Sequence, residues 1–126
     1  MARNILLVAV GVVLWFAAAM VVRYAAPFGW FSRDAAPIVF AVSAALAPLV
    51  VLAVHRLTGG APGGHLRTAA LASTPALLLD GMAFAWQPQL YGVPDLTLPG
   101  AWLLYGVGAI LASGLTLDVG SSRSAP

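Results

Sequence analysis

One carboxylate stands where an apolar run would otherwise be unbroken. Asp80 lies inside the stretch 66–86, seven residues before Gln87. At 1.5 Å of rise per residue that is about 10 Å below the end of the run. A charged group inside a membrane span costs a few kcal/mol, so such a residue is by default a candidate for function. Arg23 closes the first apolar run on the same side, and its guanidinium has the reach to meet Asp80 in a charge-assisted pair. Three roles for Asp80 follow: a structural clamp with Arg23, a protonatable or ion-coordinating group in a transport path, or a neutral acid hydrogen-bonded to a neighbouring helix.

Ser73, Asp80 and Gln87 recur every seven residues and would share one helix face as a polar seam. Tyr105, beside Trp102 and Ala109 at helical spacing, belongs to the face expected to meet that seam. Pro75 frees the carbonyl of Leu71, and Gly81 follows Asp80, so a bend near the carboxylate is expected. Catalysis has little to work with: Cys and Glu are absent, and Ser73 has no base beside it. An enzyme is not expected, and no metal or cofactor is implied. His55 and His65, ten residues apart around a glycine-rich loop, do not make a metal motif. With Arg56 and Arg67 they are expected to be solvated or to touch lipid headgroups.

The elements that must position these residues are apolar. The chain has 126 residues, 61% apolar and 8% charged, against about 45–50% and roughly 25% for soluble domains. Ten formal charges exclude both a soluble monomer and a disordered chain. The net charge of +2 comes with no basic run, so nucleic acid is not a partner. A bilayer core about 30 Å thick takes roughly 20 apolar residues per helix. Four such spans are predicted at about 5–26, 37–56, 66–86 and 98–117, forming a single domain over 1–119, with a disordered tail at 120–126. The fold class is therefore an all-α, integral-membrane four-helix bundle. The first run is too long for a signal peptide and lacks a small-residue cleavage site.

Arg3, Arg56, Arg67 and Arg123 fall on one side of this plan, Arg23 and Arg33 on the other. By the positive-inside rule both termini are cytoplasmic. Trp30, Trp86, Tyr91 and Trp102 then gather at the outer interface, as an anchor or as a site for a lipid or another apolar ligand. Gly106, Gly108 and Ala112 are small residues that let helices approach closely, and are expected to be packing positions.

The segment Pro75-Ala76-Leu77-Leu78-Leu79-Asp80, an aromatic and proline loop, and Gly100-Ala101-Trp102-Leu103-Leu104-Tyr105-Gly106 together resemble a family of small, uncharacterised bacterial four-span membrane proteins. Trp15-Phe16 and Arg23-Tyr24 are similar too. The resemblance implies a recurring design around Asp80 and residues 102–106, and it supplies no activity. It agrees with an Arg-only, Ala-, Gly- and Pro-rich composition like that encoded by a GC-rich bacterial genome, and the expected location is the bacterial cytoplasmic membrane. The expected roles, in order, are a non-enzymatic accessory or scaffold protein, within a larger membrane complex or a homo-oligomer; a small oligomeric transporter or channel using Asp80 with Arg23; and an outer-leaflet binder of lipid or apolar ligand.

Overall fold

The computed structural model describes residues 1–124. They form four α-helices: α1 (Ala2–Ala25), α2 (Ala36–Leu57), α3 (His65–Trp86) and α4 (Thr97–Ser124). Single 3-10 turns follow α1 at Ala26–Phe28 and α3 at Pro88–Tyr91. All four helices are long and apolar enough to cross a membrane, so the protein is an all-α bundle of four apolar helices.

The helix ends follow from local chemistry. Pro37 sits in the first turn of α2, where its missing N–H is no loss. Asp95 accepts from the Thr97 backbone N–H at 2.9 Å and from the Thr97 hydroxyl at 2.6 Å, which starts α4. Both bonds hold the Asp95 carboxyl below its ordinary range, the hydroxyl contributing most. Pro75 lies inside α3, which remains one unbroken helix.

The expected tail needs correction. Residues 120–124 continue α4; residues 125 and 126 lie outside the described part. Ser121 and Ser122 donate to the carbonyls of Leu117 and Asp118, at 2.9 and 3.0 Å. Their small polar side chains thus turn back onto the helix instead of ending it.

In space the order is α1, α3, α4, α2: α1 packs on α3, α3 on α4 and α4 on α2, whereas α1 and α2 barely touch. The chain reverses at each connection, so α1 and α3 run parallel. Two glycines set the closest approaches. A Cβ on Gly11 would overlap the Ala72 carbonyl and lie 2.7 Å from the Pro75 ring. A Cβ on Gly114 would come within 2.9 Å of both Ala69 and Leu66. The packing positions expected from sequence, within the chain or between chains, are different ones. Gly106 and Gly108 have open space where a Cβ would stand, so neither brings two helices of this chain together.

One end of the bundle, where α1 and α3 finish, carries the main core. Ala19, Val22, Ala25, Phe31, Ala83, Tyr91 and Leu103 are buried against one another there. We call this the aromatic end and the opposite one the histidine end. Elsewhere large apolar side chains face outward, among them Ile5, Val13, Phe16, Ile38, Leu49, Leu78 and Leu104.

Candidate functional site

Because α1 and α2 do not close on each other, a cleft runs between them, floored by α3 and α4. Its volume is about 280 Å³. Leu14 and Leu46 form its lips and are 39% and 50% exposed. Its lining extends from Thr68 to Asp80 along α3, twelve residues or about 18 Å of helix. Nearly all of the lining is apolar. The polar side chains on it are Thr68, Ser73 and Asp80 from α3, Ser43 from α2, and the indoles of Trp15 and Trp102.

Asp80 is 5% exposed. Its Oδ1 accepts two hydrogen bonds, from Trp15 Nε1 at 2.9 Å and from the Tyr91 hydroxyl at 2.5 Å. Trp15 comes from α1 and Tyr91 from the turn after α3, so the carboxylate ties three elements together. Tyr91 is fully buried, with its ring 5.0 Å from that of Phe84. Burial first, then the bond and the negative charge of Asp80, push the Tyr91 phenol above its ordinary value of 10.0. The folded protein therefore holds that proton where an unfolded chain releases it. The stability so contributed is complete below pH 10.0 and declines as pH rises above it. Alkaline unfolding followed by circular dichroism should be less steep in Tyr91→Phe, which has no such proton to lose.

The pairing of Arg23 with Asp80 does not form. Arg23 Nη1 donates to the carbonyls of Gln89 and Leu90, at 3.2 and 3.1 Å. Its stem lies over Gly92, whose φ of 66° is the left-handed conformation that turns the chain there. These carbonyls close the 3-10 turn, that of Gln89 also accepting from the Gly92 backbone N–H at 3.1 Å, and they take the guanidinium that the sequence assigns to Asp80. Among the described residues the salt bridge that forms is His65–Asp118, at the other end. In a double-mutant cycle, Arg23→Gln and Asp80→Asn should change stability additively to within about 0.5 kcal/mol. A clamp would instead give a coupled pair.

The remaining sequence-derived positions scatter. Ser73 is buried and shares the cleft with Asp80. Gln87 falls beyond the end of α3, so the seam has two members in the helix and not three. Tyr105 packs on Phe40, centroids 4.9 Å apart, and is 41% exposed. Of the aromatic group, Trp30 and Trp86 are exposed at 49% and 71%, whereas Tyr91 belongs to the core. Trp102 meets Phe31 edge-on at 5.4 Å and donates to Ser43 Oγ at 2.8 Å. Ser43 in turn donates to the Val39 carbonyl at 2.8 Å. Gly106 lines the cleft, and Gly108 and Ala112 line a second, more open groove between α2 and α4.

The histidine end holds a polar knot that spacing in the sequence does not reveal. His55 is 4% exposed, and its ring stacks on that of His65 with centroids 4.0 Å apart. Its Nε2 meets the Ala61 carbonyl at 3.0 Å; a carbonyl only accepts, so Nε2 carries a proton. Nδ1 contacts the Thr68 hydroxyl at 2.7 Å. Arg3 donates to the Thr58 carbonyl at 3.0 Å and to Thr68 Oγ1 at 2.9 Å, drawing the start of α1 to its neighbours. Arg67 donates to Asn4 at 3.2 Å. These histidines are thus inside the fold and not solvated on a loop. Asp118 of α4 accepts from the backbone N–H groups of His65 and Leu66, both at 2.9 Å, and from His65 Nδ1 at 2.8 Å. A neighbouring helix thereby caps the start of α3, where Gly64 has no side chain to do so. Asp118→Ala should lower stability by about 2 kcal/mol, read as an earlier thermal loss of helical circular dichroism. Asp118→Asn, which keeps an acceptor, should lose less.

Fold and cleft define the class: a four-helix bundle of apolar helices with a side-opening apolar cleft and one buried carboxylate. Comparison of the chain with protein-family models, curated proteins and solved structures gives no match. Among the described residues no group of three or more His, Cys, Asp or Glu converges as a metal site would require.

Proposed function

We propose that this chain is a non-enzymatic, multi-pass protein of the bacterial cytoplasmic membrane, with both termini in the cytoplasm. Its role is to bind a slender apolar ligand that enters the α1–α2 cleft sideways from the bilayer. The observation that carries this is the separation of α1 and α2, which leaves about 280 Å³ of apolar space over a buried polar group. That volume lies at the lower edge of ligand pockets, which run about 300–1,000 Å³. A partner helix about 10 Å across would need roughly 800 Å³ for each 10 Å of its length. The cleft therefore suits a single chain better than a helix. The outward-facing apolar side chains match a bilayer as surroundings, and the four arginines at or near the histidine end favour the cytoplasm for it.

An accessory role through helix contacts draws on a separate feature, the α2–α4 groove, where Gly108 and Ala112 are exposed small residues. A transport path built on Asp80 with Arg23 draws no support from the geometry, since Arg23 is committed to Gln89 and Leu90.

Photolabelling tests the cleft. A single-chain alkyl diazirine, activated in membranes holding the protein, should label Leu14, Leu46 and Val50 above the level of Ile5, Val21 and Leu78. Uniform labelling of all exposed apolar positions would contradict a specific site.

A further inference from the structure

The chemistry of the cleft floor narrows the ligand class. We infer that the ligand is a lipophilic amine, an alkylammonium whose cationic head donates to Asp80 Oδ2 while its chain lies along α3 toward Thr68. This rests on the cleft being a ligand site. Both donors that the chain supplies to Asp80 converge on Oδ1. Among the described residues no hydrogen bond reaches Oδ2, and Asp80 lines the cleft.

Among the described residues no cation pairs with Asp80: the salt bridge is at the opposite end, and Arg23 is held by two carbonyls. A buried ionised group is costly unless paired, so the ionised form of Asp80 is complemented by a positive charge. Low surrounding polarity strengthens the attraction. The indoles of Trp15 and Trp102 line the same cleft, and their faces attract cations. Ser43 Oγ already accepts from Trp102 and donates to Val39. An anionic head would be repelled. A neutral alcohol would satisfy Oδ2 and leave the charge unbalanced. The apolar lining from Thr68 to Asp80 accepts the chain.

The test uses the full chain in nanodiscs of neutral phosphatidylcholine, with dodecylamine and dodecanol as matched probes and empty nanodiscs as the partition background. Dodecylamine should bind at least about tenfold tighter than dodecanol, the step that one well-placed charge interaction supplies. Asp80→Asn, which keeps an acceptor for Trp15 and Tyr91, should bring dodecylamine down to the level of dodecanol without changing helical circular dichroism. Gly106→Leu, which fills the cleft, should abolish both. Equal binding of the two probes, or a preference that survives Asp80→Asn, overturns the amine assignment and leaves the cleft as a neutral-ligand site. Binding of neither probe above background, with Gly106→Leu indistinguishable from the parent, overturns the cleft as a ligand site altogether.

Discussion

Gly11→Val is expected to lower the thermal midpoint of the protein well below that of the parent. The side chain would have to occupy space held by the Ala72 carbonyl and the Pro75 ring, and neither can swing aside as a flexible side chain would. The two helices run parallel along one of the most extensive contacts in the bundle. Relief therefore requires α1 to move off α3 as a unit. Overpacking of a well-packed core typically costs about 1–3 kcal/mol, and rigid backbone on the opposing side places this change at the upper end. A parallel substitution separates the site from size alone. Gly108→Val, on a position with open space, should leave the thermal midpoint near that of the parent, apart from the modest change in helix propensity. Thermal unfolding of the two variants, measured side by side in the same detergent, checks this.

Asp80→Ala should carry the second large effect, a loss of about 3 kcal/mol, while Asp80→Asn loses far less. The alanine leaves the Trp15 indole N–H and the Tyr91 hydroxyl without their acceptor, and each buried unsatisfied donor costs about 1–3 kcal/mol. Part of that is recovered because the carboxylate's own burial no longer has to be met. Asparagine keeps an oxygen where both donors point. If Trp15→Phe and Tyr91→Phe are added to Asp80→Ala, the triple variant should be more stable than the single one, since no orphaned donor remains. Urea unfolding at constant detergent concentration gives these differences. The opposite order would mean that the network does not hold α1, α3 and the 88–91 turn together.

Much of the frame was legible because long apolar runs bounded by proline and arginine have few alternatives. The predicted spans at 37–56 and 66–86 lie within about one residue of α2 and α3. What failed has a common physical origin in tertiary contacts that spacing does not encode. The sequence puts Arg23 at the right end of the bundle, but the turn at 88–91 presents the Gln89 and Leu90 carbonyls, which capture it. Tyr91 looked like an interfacial anchor, yet it folds inward and gives Asp80 a donor. Trp15 was visible only as part of an aromatic pair at the middle of α1, with nothing to mark it as the other donor.

Helix packing shows the same limit. A small residue permits close approach, but which small residue is used depends on the rotation of each helix. Gly11 and Gly114 face neighbours; Gly106 and Gly108 do not. The histidine knot was hidden because His55 and His65 are ten residues apart and meet only when the 58–64 loop folds back. Asp118 then reaches across to α3, and α4 continues where small polar residues had suggested a tail. Asp80 itself was the strongest signal in the sequence, and it remains the centre of the site with different partners.

The claim on which these expectations converge is that the α1–α2 cleft holds a small molecule. Organic extracts of the protein, purified in mild detergent from its own membranes, should be compared by mass spectrometry with extracts of Gly106→Leu prepared alongside. A single apolar compound enriched in the parent and lost from Gly106→Leu, with both proteins equally helical, is the predicted result. Indistinguishable extracts from the two proteins would contradict it.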